Sequence, residues 1–221
     1  MRLAHTKATS PVPPVRAAGK GGMKVVFLDR DGVINEFPGN GLYVTRIRDF
    51  HFIPRSLEAL RRLTDAGYHI FVVSNQAGVG KGVYSREKLE QITAYMLRNV
   101  GEAGGRIEEV LYCTCKSNDA CNCRKPRIGN VIKALESIDH SIDDAGHAYF
   151  VGDTQGDIKA GKNAGCKTVF VLSGREDQQY MKRWDIRPDF IVEDLYDAVD
   201  LILAEDPHPA RKRGRRSPQS R

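Results

Sequence analysis

The sequence predicts an α/β fold: a doubly wound, mostly parallel, Rossmann-like sheet without a large cap domain. Three observations predict it. Short apolar runs alternate with helical repeats along residues 23–205, the pattern of βαβ units. Three of the runs are apolar enough to be buried strands, at 25–28, 69–73 and 148–151. Each of these ends in polar residues, which places them where open α/β sheets bind ligands, outside the carboxyl ends of the strands.

The elements follow in order. Val25–Leu28 reads as the first strand and ends in Asp29-Arg30-Asp31-Gly32. Side chains alternate along a strand, so Asp29 and Asp31 leave its end on the same side. Gly32 lets the chain turn sharply. Two such carboxylates repel unless a cation or a shared proton offsets the charge. After Pro54, the spacing of Leu57, Leu60 and Leu63 predicts a helix that Gly67 stops. Residues 69–73 form the second strand and lead into Ser74-Asn75-Gln76. Ser85 opens another helix as an N-cap, although the residue three on is Lys88 and not Glu or Gln. Its apolar stripe is Leu89, Ile92 and Met96.

A strand at 109–112 runs into the cysteines, and residues 127–138 read as a helix. Residues 148–151 are a strand that ends in Gly152-Asp153-Thr154-Gln155-Gly156-Asp157. A helix at 157–164, a strand at 168–172, a short strand at Phe190–Val192 and a closing helix at 195–203 complete the order. No stretch after Asp31 or before Lys125 is long enough for a separate cap. Only loops, at 36–48 and 113–124, are expected to cover the site. Such a site suits a phosphate on a substrate of moderate size.

In sequence, then, the chain offers an acid pair (Asp29, Asp31), a hydroxyl (Ser74), a lysine (Lys125) and a second acid pair (Asp153, Asp157). The set suits phosphoryl transfer. Carboxylates hold Mg²⁺, a hard cation that takes oxygen ligands. A hydroxyl and an ammonium balance the phosphate oxygens.

These residues in this order resemble the haloacid dehalogenase superfamily of phosphotransferases, whose four motifs match Asp29/Asp31, Ser74, Lys125 and Asp153/Asp157. More narrowly, D-R-D-G-V-I-N, S-N-Q-A-G-V-G-K-G and C-x-C-R-K-P resemble the histidinol-phosphate and heptose-bisphosphate phosphatase branch, over about residues 23–205. The resemblance implies a Mg²⁺-dependent phosphomonoester hydrolase. Asp29 is then the nucleophile, and Asp31 the general acid and base. Mg²⁺ is held by the Asp29 carboxylate, the Asp31 backbone carbonyl and Asp153, and Asp157 orients Lys125 or the metal shell. Ser74, Asn75 and Lys125 serve the phosphoryl group. Arg124 and Lys81 are candidates for the rest of the substrate, since a basic side chain can meet a second phosphate. The ending of the 74–82 loop, a basic residue and a glycine, resembles the heptose branch. The expected substrate is a small phosphorylated sugar, D-glycero-D-manno-heptose 1,7-bisphosphate, which loses its 7-phosphate. Histidinol phosphate is the alternative.

The cysteines suggest a second site. Cys113-x-Cys115 and Cys121-x-Cys123 fall within eleven residues. Thiolates this close select Zn²⁺, and four of them complete a tetrahedral structural site. A disulfide pair is the other reading. The related phosphatases carry a zinc loop here with three Cys and one His, and Cys115 stands in the place of the His. Zn²⁺ would pin a polar loop and anchor Arg124 and Lys125, which follow the last ligand directly. Cys166 reads as a small core residue.

Charge separates the ends from the body. The chain carries a net charge of +6. Residues 1–20 hold Arg2, Lys7, Arg16 and Lys20 and no acid, and residues 207–221 hold six Lys and Arg and no acid. Without those ten positive charges, residues 21–206 carry −4. The body is therefore mildly acidic, and the pI does not mark a nucleic-acid-binding enzyme. A protein acting on nucleic acid through its basic tail is the alternative from another class. Residues 1–22 and 207–221 read as disordered extensions of a phosphatase domain at 23–206, and Met23 is a candidate start site. No run approaches the roughly 18 apolar residues of a membrane span, and no secretion signal is legible. A cytoplasmic monomer without membrane partners is expected.

Overall fold

Six strands form one parallel sheet: β1 Val25–Leu28, β2 His69–Asn75, β3 Glu109–Cys113, β4 Tyr149–Gly152, β5 Lys167–Val171 and β6 Phe190–Val192. Their order is β3-β2-β1-β4-β5-β6. The computed structural model describes residues 23–116 and 118–205. The extensions at 1–22 and 207–221, and with them the basic tail, lie outside the described residues. The helices are α1 Ser56–Asp65, α2 Ala77–Gly80, α3 Arg86–Glu102, α4 Gly129–Glu136, α5 Gln155–Ala164, α6 Gln178–Met181 and α7 Leu195–Glu205. Among the described residues, no helix is long and apolar enough to cross a membrane.

Alternation along the strands builds two cores. Val26 and Leu28 join the apolar stripes of α1, α3 and α7, with Leu60, Leu63, Ile92, Met96 and Val199 fully or almost fully buried. Val25 and Phe27 face the other way, with Val131 and Leu135 of α4 and Ala160 of α5. Phe27 pairs in register with Phe71 and Phe150, and its ring stacks on theirs at 5.8 and 5.9 Å. Burying each such side chain stabilises the fold by about 1.5–3 kcal/mol. Both faces of the central strands are covered, which is why they read as unbroken apolar runs.

The winding reverses between β1 and β4. From β1 the chain moves outward to β2 and β3, then returns to β4 on the other side of β1. That reversal opens a crevice at the carboxyl ends of β1 and β4. Asp29 follows β1 and Asp153 follows β4, so the topology alone brings two distant acids to one place.

Boundaries differ from the sequence pattern where caps decide them. The helix expected at 157–164 starts at Gln155, because Thr154 and Asp157 form a reciprocal capping box. The helix expected at 127–138 is two residues shorter at each end, Gly129–Glu136, because the Arg127 N–H closes a turn onto the Arg124 carbonyl. Ser85 caps α3 by accepting from the Lys88 N–H. Gly67, with φ of +80°, ends α1 as its position predicts. The short helices α2 and α6 carry no periodic signal that the sequence could show.

Candidate active site

A cavity of about 310 Å³ opens at the carboxyl ends of the central strands. Asp29, Asp31, Ser74, Asn75, Lys125, Asp153 and Asp157 all line it, as do Lys81 and Arg124. The rim is the loop from Phe37 to Tyr43, as expected of the 36–48 segment. The 113–124 segment contributes only Arg124 to the wall.

Lys125 organises the floor. Its side chain is 2% exposed, and its ammonium reaches Asp29 Oδ1 at 3.0 Å, Asp157 Oδ1 at 2.6 Å and the Val73 carbonyl at 2.6 Å. Its backbone is held from β2: the Asn75 side chain accepts from the Lys125 N–H at 3.1 Å and donates to the Lys125 carbonyl at 3.2 Å. The Asn75 amide is thus engaged with Lys125. The Asp157 Oδ2 accepts from the Thr154 N–H at 3.0 Å and from its hydroxyl. Both Asp157 oxygens are occupied, which favours the lysine-orienting role over a metal ligand.

Asp153 differs. Its Oδ2 accepts from the Arg175 N–H at 2.7 Å. Its Oδ1 is buried and has no hydrogen-bond partner among the described residues. The backbone closes tightly round it. A Cβ on Gly32, whose φ is +88°, would lie 2.2 Å from Asp153 Oδ2, so only glycine fits there.

Burial, helped by Asp157 and Asp31, pushes Asp29 up to about 6 against the pull of Lys125 and the Ser74 hydroxyl. Burial, then Asp157 and Asp29, hold Asp153 well above the usual carboxylate range. Burial alone would lower Lys125, but Asp157 and Asp29 outweigh it and raise its pKa, which keeps the ammonium charged. Three carboxylates against one ammonium leave two negative charges, the balance a divalent cation offsets. The oxygens of Asp29, Asp153 and Asp157 lie within 4.8 Å of one another. Hard oxygen donors and the unpartnered Asp153 Oδ1 suit Mg²⁺.

Asp31 has its own counterion. Arg30, fully buried, donates to Asp31 Oδ1 from Nε at 3.1 Å and from Nη2 to both oxygens at 2.9 Å. Asn35 donates to Oδ1 and Gln76 to Oδ2, each at 2.9 Å. The guanidinium lies over the rings of Tyr112 and Phe50, at 5.6 and 6.0 Å from their centres. Sequence reasoning missed Arg30, Asn35 and Gln76, and with them Tyr84, whose hydroxyl donates to Gln76 Oε1. Arg30 stood inside the motif, but a charged residue gives no sign that it will be buried. Arg175 was missed as well, since it follows Asp153 by 22 residues with no spacing cue.

The four loop cysteines converge. Their sulfurs lie within 4.8 Å of one another, with Cys113–Cys121 at 3.7 Å and Cys115–Cys123 at 3.9 Å. A tetrahedron of thiolates about 2.3 Å from Zn²⁺ has edges of about 3.8 Å. All four are free thiols. Burial would raise Cys121, but hydrogen bonds involving Cys115 and the Arg124 backbone bring it down to about 6. Cys166 is buried, as expected of a core residue.

The profile of the HAD-hydrolase-like family matches residues 122–198. The D-glycero-β-D-manno-heptose-1,7-bisphosphate 7-phosphatase of Haemophilus ducreyi is 34% identical over 188 residues, 82% of this chain and 99% of that protein. Its counterpart from Pasteurella multocida is 32% identical over 186 residues, 81% of this chain and 96% of that protein. The chain belongs to the haloacid-dehalogenase-type phosphatases, in the heptose-bisphosphate phosphatase family. A solved structure of this family agrees in fold: the D,D-heptose 1,7-bisphosphate phosphatase of B. bronchiseptica, complexed with magnesium and phosphate. It has a TM-score of 0.76 and 29% identity, and the match covers 83% of this chain and 99% of that one. The chain is therefore a phosphatase built on the parallel α/β sheet of that fold.

Proposed function

We propose that this phosphatase removes the 7-phosphate of D-glycero-D-manno-heptose 1,7-bisphosphate through an aspartyl-phosphate on Asp29. The single observation that carries the substrate is the charge pattern of the cavity. The acids and Lys125 occupy the floor, while Lys81, Arg124 and Arg175 line it as well. Lys125 serves the phosphate that reacts, and three further cations are more than one phosphate requires. They suit a substrate with a second anionic group. The match to heptose-bisphosphate phosphatases over nearly their full length supports the same reading.

The steps follow from the residues. An Asp29 oxygen attacks phosphorus, and the bond from phosphorus to the sugar oxygen breaks with its electron pair leaving on that oxygen. Asp31 gives that oxygen a proton. Asp31 then takes a proton from water as the water attacks the aspartyl-phosphate, which frees phosphate and restores Asp29. Ser74 and Lys125 hold the phosphoryl oxygens as charge shifts. Mg²⁺, held by Asp29, Asp153 and the Asp31 carbonyl, would supply charge neutralisation for the phosphoryl group.

The deciding assay is phosphate release from both heptose bisphosphate anomers and from histidinol phosphate. A heptose bisphosphate is expected to give the higher kcat/KM, and preference for histidinol phosphate would overturn the assignment. A companion measurement concerns the cation. Protein moved into Mg²⁺-free buffer is expected to lose activity, and Mg²⁺ to restore it. Full turnover without a divalent cation would contradict the Asp29/Asp153 site.

The four thiols are proposed to hold one structural Zn²⁺. Purified protein is then expected to carry about one Zn²⁺ per chain. Cys121→Ser lowers the zinc content and, by loosening Arg124 and Lys125, reduces kcat, since positioning is most of what phosphoryl transfer asks of a protein. The Mg²⁺ concentration for half-activation stays the same. Reduced, zinc-free protein with full activity would remove the site.

A further inference from the structure

The hydrogen bonds round Asp31 reach beyond the residues that touch substrate. Gln76 follows the last residue of β2 and is 1% exposed. Its Nε2 donates to Asp31 Oδ2 at 2.9 Å and to Ser74 Oγ at 3.2 Å. Its Oε1 accepts from the Tyr84 hydroxyl at 2.6 Å. Tyr84 is itself buried and packs on Gly78, where a Cβ would come within 2.3 Å of its ring.

The Asp31 carboxylate, which only accepts, selects the orientation of the amide, and the Tyr84 hydroxyl donates to the oxygen on its other side. Turned over, Gln76 would set its oxygen against a carboxylate oxygen, losing the Asp31 bond and adding repulsion, while the Tyr84 oxygen can accept from its NH₂. So oriented, one NH₂ group ties the Asp31 carboxylate to the Ser74 hydroxyl. Those two side chains address different atoms of one reaction, the leaving oxygen and the phosphoryl oxygens.

We propose that Gln76, anchored by Tyr84, is a positioning residue that sets the Asp31 carboxyl at the leaving oxygen and in register with Ser74. This rests on the acid role given to Asp31 above. Arg30 and Asn35 hold Asp31 from its own loop. Gln76 reaches it from the end of β2, the strand that carries Ser74, so it fixes the one against the other. Misplacement of about 1 Å at such a contact costs up to about 100-fold in rate.

The test exploits the leaving group. Ethyl phosphate releases an alkoxide that needs the Asp31 proton, and 4-nitrophenyl phosphate releases a stable phenolate that does not. The value of kcat/KM reports the first step alone in both cases. Tyr84→Phe removes one oxygen and keeps the buried ring, and Gln76→Leu removes the donor. Tyr84→Phe is expected to lose about tenfold or more on ethyl phosphate and less than about threefold on 4-nitrophenyl phosphate; Gln76→Leu, which also releases Ser74, is expected to lose activity on both but about tenfold more on ethyl phosphate. Equal losses on the two substrates, or no loss on either, would overturn the proposal.

Asp31→Asn separates this from the reading beneath it. It is expected to show the same selective loss, with no further effect when Tyr84→Phe is added. If Asp31→Asn loses both substrates alike, the acid role fails and the positioning role falls with it. If Asp31→Asn is selective while Tyr84→Phe and Gln76→Leu are not, only the positioning role fails. Tyr84→Phe decides the matter even should Gln76→Leu not fold.

Discussion

Asp29→Asn is expected to lower kcat by more than about a thousandfold while leaving the fold intact. The amide has the shape of the carboxyl but is no nucleophile, so no phosphoenzyme forms. The fold survives because Lys125 keeps Asp157 at 2.6 Å and the Val73 carbonyl at 2.6 Å. The sign of the stability effect also follows. Burial raises Asp29 from 3.8 to about 6, so the folded state disfavours its charged form. At neutral pH, above both values, that charge costs stability on the order of a few kcal/mol. Removing it relieves the cost in metal-free protein, so the melting temperature should hold or rise. Rapid-quench measurement with labelled substrate checks the chemistry. A variant that retains more than about a thousandth of kcat would exclude covalent catalysis through Asp29.

Lys125→Met is expected to damage both activity and stability. The apolar side chain takes the ammonium from a buried cluster in which Asp157 is completely inaccessible. Breaking a buried pair from one side costs about 3–5 kcal/mol, because the remaining charge is left unpaired. For a domain of this size that lowers the melting temperature by roughly 10 °C. Loss of the cation that faces the phosphoryl oxygens reduces kcat by roughly a hundredfold or more. The second substitution Asp157→Asn separates the two effects. Lys125→Met with Asp157→Asn leaves no orphaned charge at position 157 and should recover much of the stability, but none of the activity. Wild-type melting in Lys125→Met alone would show that the ion pair does not hold the floor together.

Much of the fold was legible because burial on both faces leaves a plain trace. Residues 25–28, 69–73 and 148–151 are apolar almost without interruption, and each is a central strand. Leu57, Leu60 and Leu63 marked α1 by spacing alone. Helix ends were less legible where the cap lay outside the periodic run, as Thr154 does for α5. The main acids, Ser74 and Lys125 were legible because they follow strands or stand in recognisable motifs. Their order along the chain matched a family whose chemistry needs that set.

The sequence by itself determined the strand and helix order, the acid pairs at the strand ends, the four clustered thiols and the confinement of the net positive charge to the two ends. These are properties of neighbouring residues, and short-range pattern carries them. Only the tertiary structure decided which polar groups act on one another. Asp29 and Lys125 are 96 residues apart in numbering and meet at 3.0 Å because β1 and β2 are adjacent and Asn75 holds the Lys125 backbone. Asp31 is met by Gln76, and Gln76 by Tyr84, for the same reason. A polar side chain in a covered crevice must find its partner in space, and no local spacing records where that partner stands.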